Sequence, residues 1–283
     1  MIKKSFLVLM KKLISDLLFL KIKYFYRFRK KLNLDKPKTF NEKLQWLKLY
    51  DRTNLHTICA DKIKVRQFVK DTIGEEYLIP LVGFFQNADE INPLELPNYP
   101  IIIKTNHDSG TYFIVKDKKK QDWAGIKNKL NVAIAFNYYI SGREWQYKNI
   151  KPIVLIEKLL TTDEGSIPRD IKLHCFNGHV KFIQVDVDRE SIHKRSLFDV
   201  NWNLLNFEIH YPSAGFLKPP TNLKLLIKLA EKIAKNFTFV RVDFYEVKDE
   251  IYFGEITFHP GSGFEKFKPD SKNLDFGKEL KLN

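Results

Sequence analysis

Asp243 and Glu255 are the residues of this sequence best placed to do chemistry together. They lie 12 positions apart in FTFVRVDFYEVKDEIYFGEITFHPGSG, two alternating runs that meet around Lys248 and Asp249. Alternation on either side of a short polar turn predicts an antiparallel hairpin. With the turn centred near Lys248 to Glu250, the carboxylates come within one pair of facing each other, and directly opposed side chains sit about 4.5 to 5.5 Å apart. Two carboxylates that close repel unless something positive stands between them. Magnesium prefers oxygen ligands and commonly bridges one or two carboxylates to substrate phosphates, so the pair makes sense as a phosphate-bound metal site. The competing reading is a surface hairpin whose acids face water, and the hairpin alone favours it.

Lysines move the reading toward a nucleotide. Lys104 ends the apolar run Ile101 to Ile103 and precedes TNHDSG, so its ammonium would emerge beside a flexible loop whose backbone N–H groups can cover phosphates. Lys62 in ADKIKVRQF and Lys172 in RDIKLHCF are weaker candidates, because solvated faces account for most lysines of so basic a chain.

The elements that must position these groups follow from pattern. LDKPKTFNEKLQWLKLYDRT reads as a turn into a helix, with Thr39 or Asn41 as cap and Glu42 in the first turn. Asp61 to Val69 reads as a second helix that Gly74 closes off, and Tyr77 to Val82 as the start of a strand that Pro80 confines to an edge. PNYPIIIKTNHDSGTYFIV is strand, polar loop, strand; PIVLIEKLL is a buried strand; DIKLHCFNGHVKFIQVDVD is a hairpin turning at Asn177-Gly178; LKLLIKLAEKIAKNF is a helix. No internal repeat, low-complexity tract or flexible linker interrupts them, so they should form one catalytic body with an N-terminal helical extension.

Bulk composition sets the bounds. The 283 residues are 44% apolar and 29% charged, which fits an ordered globular protein with a full core or two lobes facing one cleft. A formal charge of +14 attracts polyanions: nucleotides, anionic polysaccharides, nucleic acid and acidic lipid. The basic residues are dispersed, with no zinc-ligand spacing, RNP-like motif or helix-turn-helix signal, so no nucleic-acid partner is expected. Cys59 and Cys175 are too few for a disulfide framework or a cysteine metal site, which points to a reducing compartment.

At the N-terminus Lys11 and Lys12 cut the apolar run far below the roughly 20 residues of a spanning helix, and no small-residue cleavage site follows. Phe6, Met10, Leu13, Leu17 and Leu20 share one helical face. That stripe suits an interfacial membrane helix or a helix docked on the protein's own core, and both stay open. The expectation is a cytoplasmic protein, and the interfacial alternative would add peripheral contact at the inner face of the cell membrane through residues 1–30.

Taken in order, TFNEKLQWLKLYDR, ADKIKVRQFV, YLIPLVG, IIIKTNHDSG, REWQYKNIKP, LIEKLL, DIKLHCFNG, VRVDFYEV and FGEITFHPG resemble the ATP-grasp fold. The nearest likeness is its TupA-like branch, named for teichuronopeptide biosynthesis and found among surface-polysaccharide proteins. The resemblance spans roughly Pro37 to Gly263 and implies an α+β fold, two α+β lobes enclosing a nucleotide cleft. Residues 1–50 would be the helical extension, 51–155 the N-terminal part of the core with the lid lobe, and 156–283 the large lobe with the metal site.

Carried residue by residue, the resemblance implies ATP and Mg2+ as cofactors. Lys62 and Lys104 would touch the nucleotide phosphates, and the loop Asn106 to Gly110, with His107, Ser109 and Gly110, would close over them. Glu157 would hold the adenine amino group, the Lys158 and Leu160 backbone the ring edge, and Glu164 or Asp163 the ribose hydroxyls. Asp170 and Lys172 match a D-x-K element whose lysine lies near the terminal phosphate. Arg241 would neutralise a forming acyl phosphate, and Asp243 and Glu255 would be magnesium ligands. Thr257 stands where many ATP-grasp enzymes carry Asn, and it is kept as a third ligand.

The implied reaction joins a carboxylate to an amine through an acyl phosphate, with no covalent enzyme intermediate. Family context points to an acidic glycan or its precursor, with Arg143, Arg169, Arg189, Lys194 and Arg195 as candidates for gripping its carboxylates. His107 or His259 would receive the amine's proton, although His259 beside Pro260 also suits a structural role. The rival enzyme class is a glycosyltransferase or other transferase of polysaccharide synthesis, which would also want a basic cleft and an acidic metal pair.

Overall fold

The computed structural model describes residues 14–187 and 192–282. Arg189 and the stripe positions Phe6, Met10 and Leu13 lie outside the described residues. The helices are α1 (Asp16–Phe28), α2 (Phe40–Tyr50), α3 (Asn54–Ala60), α4 (Val65–Thr72), α5 (Trp123–Ile134), α6 (Tyr139–Gly142), α7 (Leu223–Ala234) and α8 (Ser271–Glu279). The strands are β1 (Leu81–Phe85), β2 (Ile101–Thr105), β3 (Tyr112–Val115), β4 (Val154–Lys158), β5 (Ile171–Phe176), β6 (His179–Val187), β7 (Lys194–Phe198), β8 (Glu208–Ile209), β9 (Phe239–Val247), β10 (Glu250–Thr257) and β11 (Phe267–Lys268).

Two antiparallel sheets follow from two sets of alternating residues. The first has strand order β1-β4-β2-β3. Ile101, Ile103, Val154 and Ile156 point to one face and pack on Ile126 and Leu130 of α5. Period-two alternation therefore turns Lys104 and Glu157 to the opposite face. β1 is an edge strand, as Pro80 requires. Because β4 runs through Lys158 and belongs to this sheet, the sheets part after Lys158, which moves the lobe boundary expected at 155/156.

The second sheet has order β10-β9-β5-β6-β7. Leu173, Val242, Phe244 and Phe253 cover one face and meet Leu226, Leu229, Ala230 and Ile233 of α7 and Val65 and Val69 of α4. The opposite face is aromatic at one end, where Phe40 of α2 stacks on Phe176 at 5.3 Å between centroids, and polar at the other. Phe40, Leu44 and Leu47 belong to the same core as Phe182 and Phe239. Residues 40–50 are thus part of the large lobe rather than an extension from it.

Local signals hold at several points. Thr39, not Asn41, caps α2: its side chain accepts from Glu42 N, and Glu42 returns a bond to the Thr39 N–H. Asn177 and Gly178 (φ 49° and 88°) and Lys248 and Asp249 (φ 53° and 63°) make the two tight turns. The second helix differs from expectation. Asp61 closes α3 and its Oδ1 accepts from Ile63 N at 2.9 Å, so residues 61–64 form a turn and α4 starts at Val65.

Gly277 lies inside α8, where alanine would ordinarily be better by about 1 kcal/mol. A Cβ there would sit 2.0 Å from Lys38 O and 2.7 Å from Thr39 C, both backbone atoms at the start of α2. Steric conflict with backbone outweighs helix propensity. Gly277→Ala is expected to destabilise the protein by about 1 to 3 kcal/mol in urea denaturation, and a stabilised variant would contradict this packing.

Candidate functional site

A β-bulge places the acidic pair. The turn at Lys248-Asp249 sets the pairing Glu250↔Val247, Tyr252↔Tyr245 and Phe253↔Phe244. Continued regularly, that register would pair Gly254 with Asp243 and turn Glu255 to the α7 side of the sheet. The register shifts between Phe253 and Glu255, and Glu255 becomes the partner of Asp243. The extra residue is Gly254, whose Cβ would meet Asp243 O at 3.1 Å. The sequence carries a signal for this: apolar residues run at steps of two through Ile251 and Phe253, then jump three to Ile256.

Positive groups separate the carboxylates. Arg241 Nε donates to Asp243 Oδ1 at 2.7 Å and its Nη2 to Asp243 Oδ2 at 2.7 Å. The same Nη2 lies 3.0 Å from Glu255 Oε1 and 3.0 Å from Thr257 Oγ1. Across β5, Lys172 is the register partner of Asp243, and its Nζ lies 2.9 Å from Asp243 Oδ2 and 3.0 Å from Asp170 Oδ2. Charge therefore alternates across three neighbouring strands. Burial alone would raise the Asp243 pKa, but Arg241 and Lys172 outweigh it and hold the carboxyl below its ordinary range.

The first sheet contributes Lys104 and the counterion Glu157, and α4 with the turn before it contributes Arg66 and Lys62. Lys104 Nζ lies 2.6 Å from Glu157 Oε2, and Arg66 Nη1 lies 3.0 Å from Glu157 Oε1. Arg66 was not apparent as a site residue from sequence, because nothing in VRQF marks one helix cation over its neighbours. Lys62 Nζ donates to the Asp108 carbonyl. Burial pushes the Lys62 pKa down, opposed by the nearby charge of Glu255, and Lys104 lowers it further.

Both sheets border one cleft, whose lining includes Lys62, Arg66, Lys104, Glu157, Tyr147 and Glu255. Lys104 and Glu255 therefore face a common space. Asp243 and Lys172, 2% and 4% exposed, form its buried support through Arg241.

Other candidates fall elsewhere. Asn106 is a brace, not a mobile loop residue: its Nδ2 donates to Asp61 Oδ1 at 3.0 Å and its Oδ1 accepts from Ile153 N at 2.8 Å. His107 is buried with Nε2 3.1 Å from Phe136 O, while Ser109 and Gly110 form the exposed tip of the loop. His259 turns into the protein, 3.2 Å from Gln146 Nε2 and 3.8 Å from Glu144, and burial holds it well below the usual histidine range. Asp163 is on the surface, ion-paired to Lys248 at 2.7 Å, and Glu164 is fully exposed beside it. Arg195 is buried against Asp186 and Glu265 at 2.7 and 2.8 Å, Arg143 lies near Asp16 at 3.6 Å, Arg169 is exposed, and Lys194 opens β7. Lys158 N–H donates to Pro80 O at 3.0 Å. Proline has no N–H to return, so the Lys158 carbonyl gains no ladder donor from Pro80.

Among the described residues no group of three or more His, Cys, Asp or Glu could hold a metal. Asp243, expected as a magnesium ligand, has both oxygens taken by Arg241 and Lys172, which leaves the Glu255 carboxylate and the Thr257 hydroxyl as the groups that suit magnesium arriving on a nucleotide rather than a resident ion held by protein alone.

A family model described as TupA-like ATPgrasp matches residues 42–281. No curated protein matches the sequence. Among solved structures, D-alanine--D-alanine ligase from Bacillus anthracis is 20% identical, over 79% of this chain and 67% of that one, with TM-score 0.43. The same enzyme from Helicobacter pylori is 17% identical over 87% and 68%, with TM-score 0.44. L-amino acid ligase from Bacillus licheniformis is 14% identical over 87% and 55%, with TM-score 0.47.

Glu157 neutralises two cations that are each less than a fifth exposed at the side chain. Glu157→Ala is expected to lose about 2 to 3 kcal/mol of stability in urea denaturation, below the full cost of breaking a wholly buried pair. Tripolyphosphate should recover part of that loss by supplying negative charge to Lys104 and Arg66. A loss under about 0.5 kcal/mol would show that solvent already screens these charges.

Proposed function

The chain belongs to the TupA-like ATP-grasp family, and from that premise we propose that it is an ATP- and Mg2+-dependent carboxylate–amine ligase. One observation carries the reading: Lys62, Arg66, Lys104 and Glu255 line a single cleft, with Arg241, Asp243 and Lys172 behind it. Three cations in a partly closed space suit a triphosphate. The Lys158 carbonyl and Leu160 N–H, at the end of β4, are the groups proposed to meet the adenine edge.

A carboxylate resists attack by an amine because it would have to expel an oxide-like group. In the proposed reaction a substrate carboxylate oxygen attacks the terminal phosphorus of ATP, the bond to the bridging oxygen breaks, and ADP leaves. The amine lone pair then adds to the acyl carbon and phosphate departs, leaving an amide. Glu255 would hold magnesium, which when bound would supply charge neutralisation for phosphoryl transfer, while Asp243, both of whose oxygens are taken by Arg241 and Lys172, would support Glu255 through Arg241.

The chain's own residues position and neutralise. Lys62 and Lys104 would hold the phosphates in line, and the guanidinium of Arg241 offers donors toward the oxygens that gain charge. Lys172 and Asp170 keep Asp243 in place from the neighbouring strand. Thr257 donates to Glu255 Oε1 at 3.2 Å and so orients a proposed ligand. Since His107 and His259 are engaged inside the protein, the amine's proton would leave with phosphate or to solvent. The basic surface and the family's name support an acidic glycan or its precursor in cell-surface polysaccharide synthesis as the acid substrate.

Incubation of the purified protein with ATP, Mg2+ and uronic acid or amino acid pairs should release ADP and phosphate in step with amide. UDP or free sugar from a sugar nucleotide would instead indicate a glycosyltransferase. An ATP analogue with Mg2+ at a hundredfold excess over its Kd should stabilise the wild type by about 2.7 kcal/mol. Glu255→Ala should lose most of the magnesium-dependent part of that shift, and equal shifts in both proteins would remove Glu255 as a metal ligand.

A further inference from the structure

α1 is fixed to the protein along one side and presents apolar residues on the other. The inner side buries Leu20 and Tyr24, and Arg27 Nε donates to Phe264 O at 2.9 Å. Asp16 pairs with Arg52 at 3.1 Å. On the outer side Leu18, Ile22 and Phe25 remain 50%, 42% and 48% exposed. Their spacing of four and three residues makes one continuous ridge. A helix docked on a core by one face ordinarily turns polar residues outward, and this one does the reverse.

We propose that the outer ridge of α1 is a docking surface for an anionic lipid bilayer. The surrounding charge selects this occupant. Lys21 is exposed beside the ridge, and Arg29, Lys30 and Lys31 are exposed just past its end. The chain as a whole carries +14. Apolar side chains flanked by lysine and arginine insert at the headgroup boundary while the cations meet lipid phosphates. A second copy of the chain fits less well, since a dimer across this ridge would bring both basic clusters together. Among the described residues no helix is long and apolar enough to cross a membrane, so the contact is interfacial.

Docking in this way would also fix the cleft relative to the lipid. Lys23 Nζ donates to Ser141 O at 3.3 Å, and Arg27 holds Phe264. Phe264 lies just past the loop that follows Glu255 and Thr257, so that side of the site would face the bilayer. The lipid contact itself stands on the ridge and its charges and does not depend on the ligase reading.

Flotation of the full chain with vesicles of pure phosphatidylglycerol and of pure phosphatidylcholine tests the proposal. Binding to phosphatidylglycerol alone, weakened by high salt, is expected. The combined variant Leu18→Asp, Ile22→Asp, Phe25→Asp should bind at least about tenfold more weakly, with its thermal midpoint close to that of the wild type because all three positions are exposed. Phe25→Ser, a milder change, should show a partial loss. Wild-type protein that stays out of the phosphatidylglycerol fraction would overturn the proposal. So would folded variants that bind as wild type does, or light scattering that reveals a dimer lost in the combined variant.

Discussion

The structure around the cleft depends on an alternation of charge that cannot be interrupted: Glu255, Arg241, Asp243, Lys172 and Asp170, spread over β10, β9 and β5. Asp243 is 2% exposed and Lys172 4%. Removing such groups from water costs several kcal/mol each, recovered only when each charge meets an opposite one with good geometry. That requirement fixes the strand register, since a slip of one residue on β9 or β5 would turn Asp243 or Lys172 into the apolar face. The apolar side of the same sheet, packed on α7, supplies the burial that offsets the cost.

The two sheets divide the electrostatic work. On the large sheet each charge is compensated within the strands, so the buried support for Glu255 is rigid without a ligand. On the small sheet Glu157 shares its two oxygens between Lys104 and Arg66, and Lys62, in the turn before α4, donates its Nζ to the Asp108 carbonyl. Burial therefore lowers the Lys62 pKa. Entry of a polyphosphate would reverse that pressure by giving the ammonium a full counter-charge, and protonation and binding would reinforce each other.

Much of the fold was legible because local chemistry and global fold agree. The Thr39–Glu42 capping box, the Asn177-Gly178 turn and Pro80 beside the edge strand are each decided by backbone rules that need no neighbours. The family resemblance, too, rested on motifs that survive as continuous strings. Side-chain partners were less legible. Arg66 meets Glu157 across 91 positions of sequence, and no short pattern encodes that distance. Asn106 read as a phosphate-covering loop residue because its string is polar, whereas its amide ties the Lys62 turn to Ile153 on the approach to β4. The Asp61 turn was hidden by helix-like periodicity on both sides. Gly254 was legible in principle, through the break in apolar spacing, but a hairpin read as regular conceals it.

α2 acquires a role from the loop that follows the acidic pair. Gly261, Ser262 and Gly263 take left-handed φ values of 53°, 55° and 68° in succession. For Ser262 that conformation is costly and persists only where surroundings impose it. α2 imposes it: Lys48 Nζ donates to Ser262 O at 2.6 Å and to Ser262 Oγ at 2.8 Å, and Gln45 and Asn41 donate to Gly263 O at 2.9 Å each. Burial pushes the Lys48 ammonium well below its ordinary pKa, with Glu144 opposing. A buried lysine on a helix is expensive, and a methionine would fill the same space at lower cost. What methionine lacks is the donors that hold a strained loop six residues past Glu255. α2 therefore braces the loop that follows the acidic pair, tying an early helix of the chain to a late loop through donors that an apolar side chain could not supply.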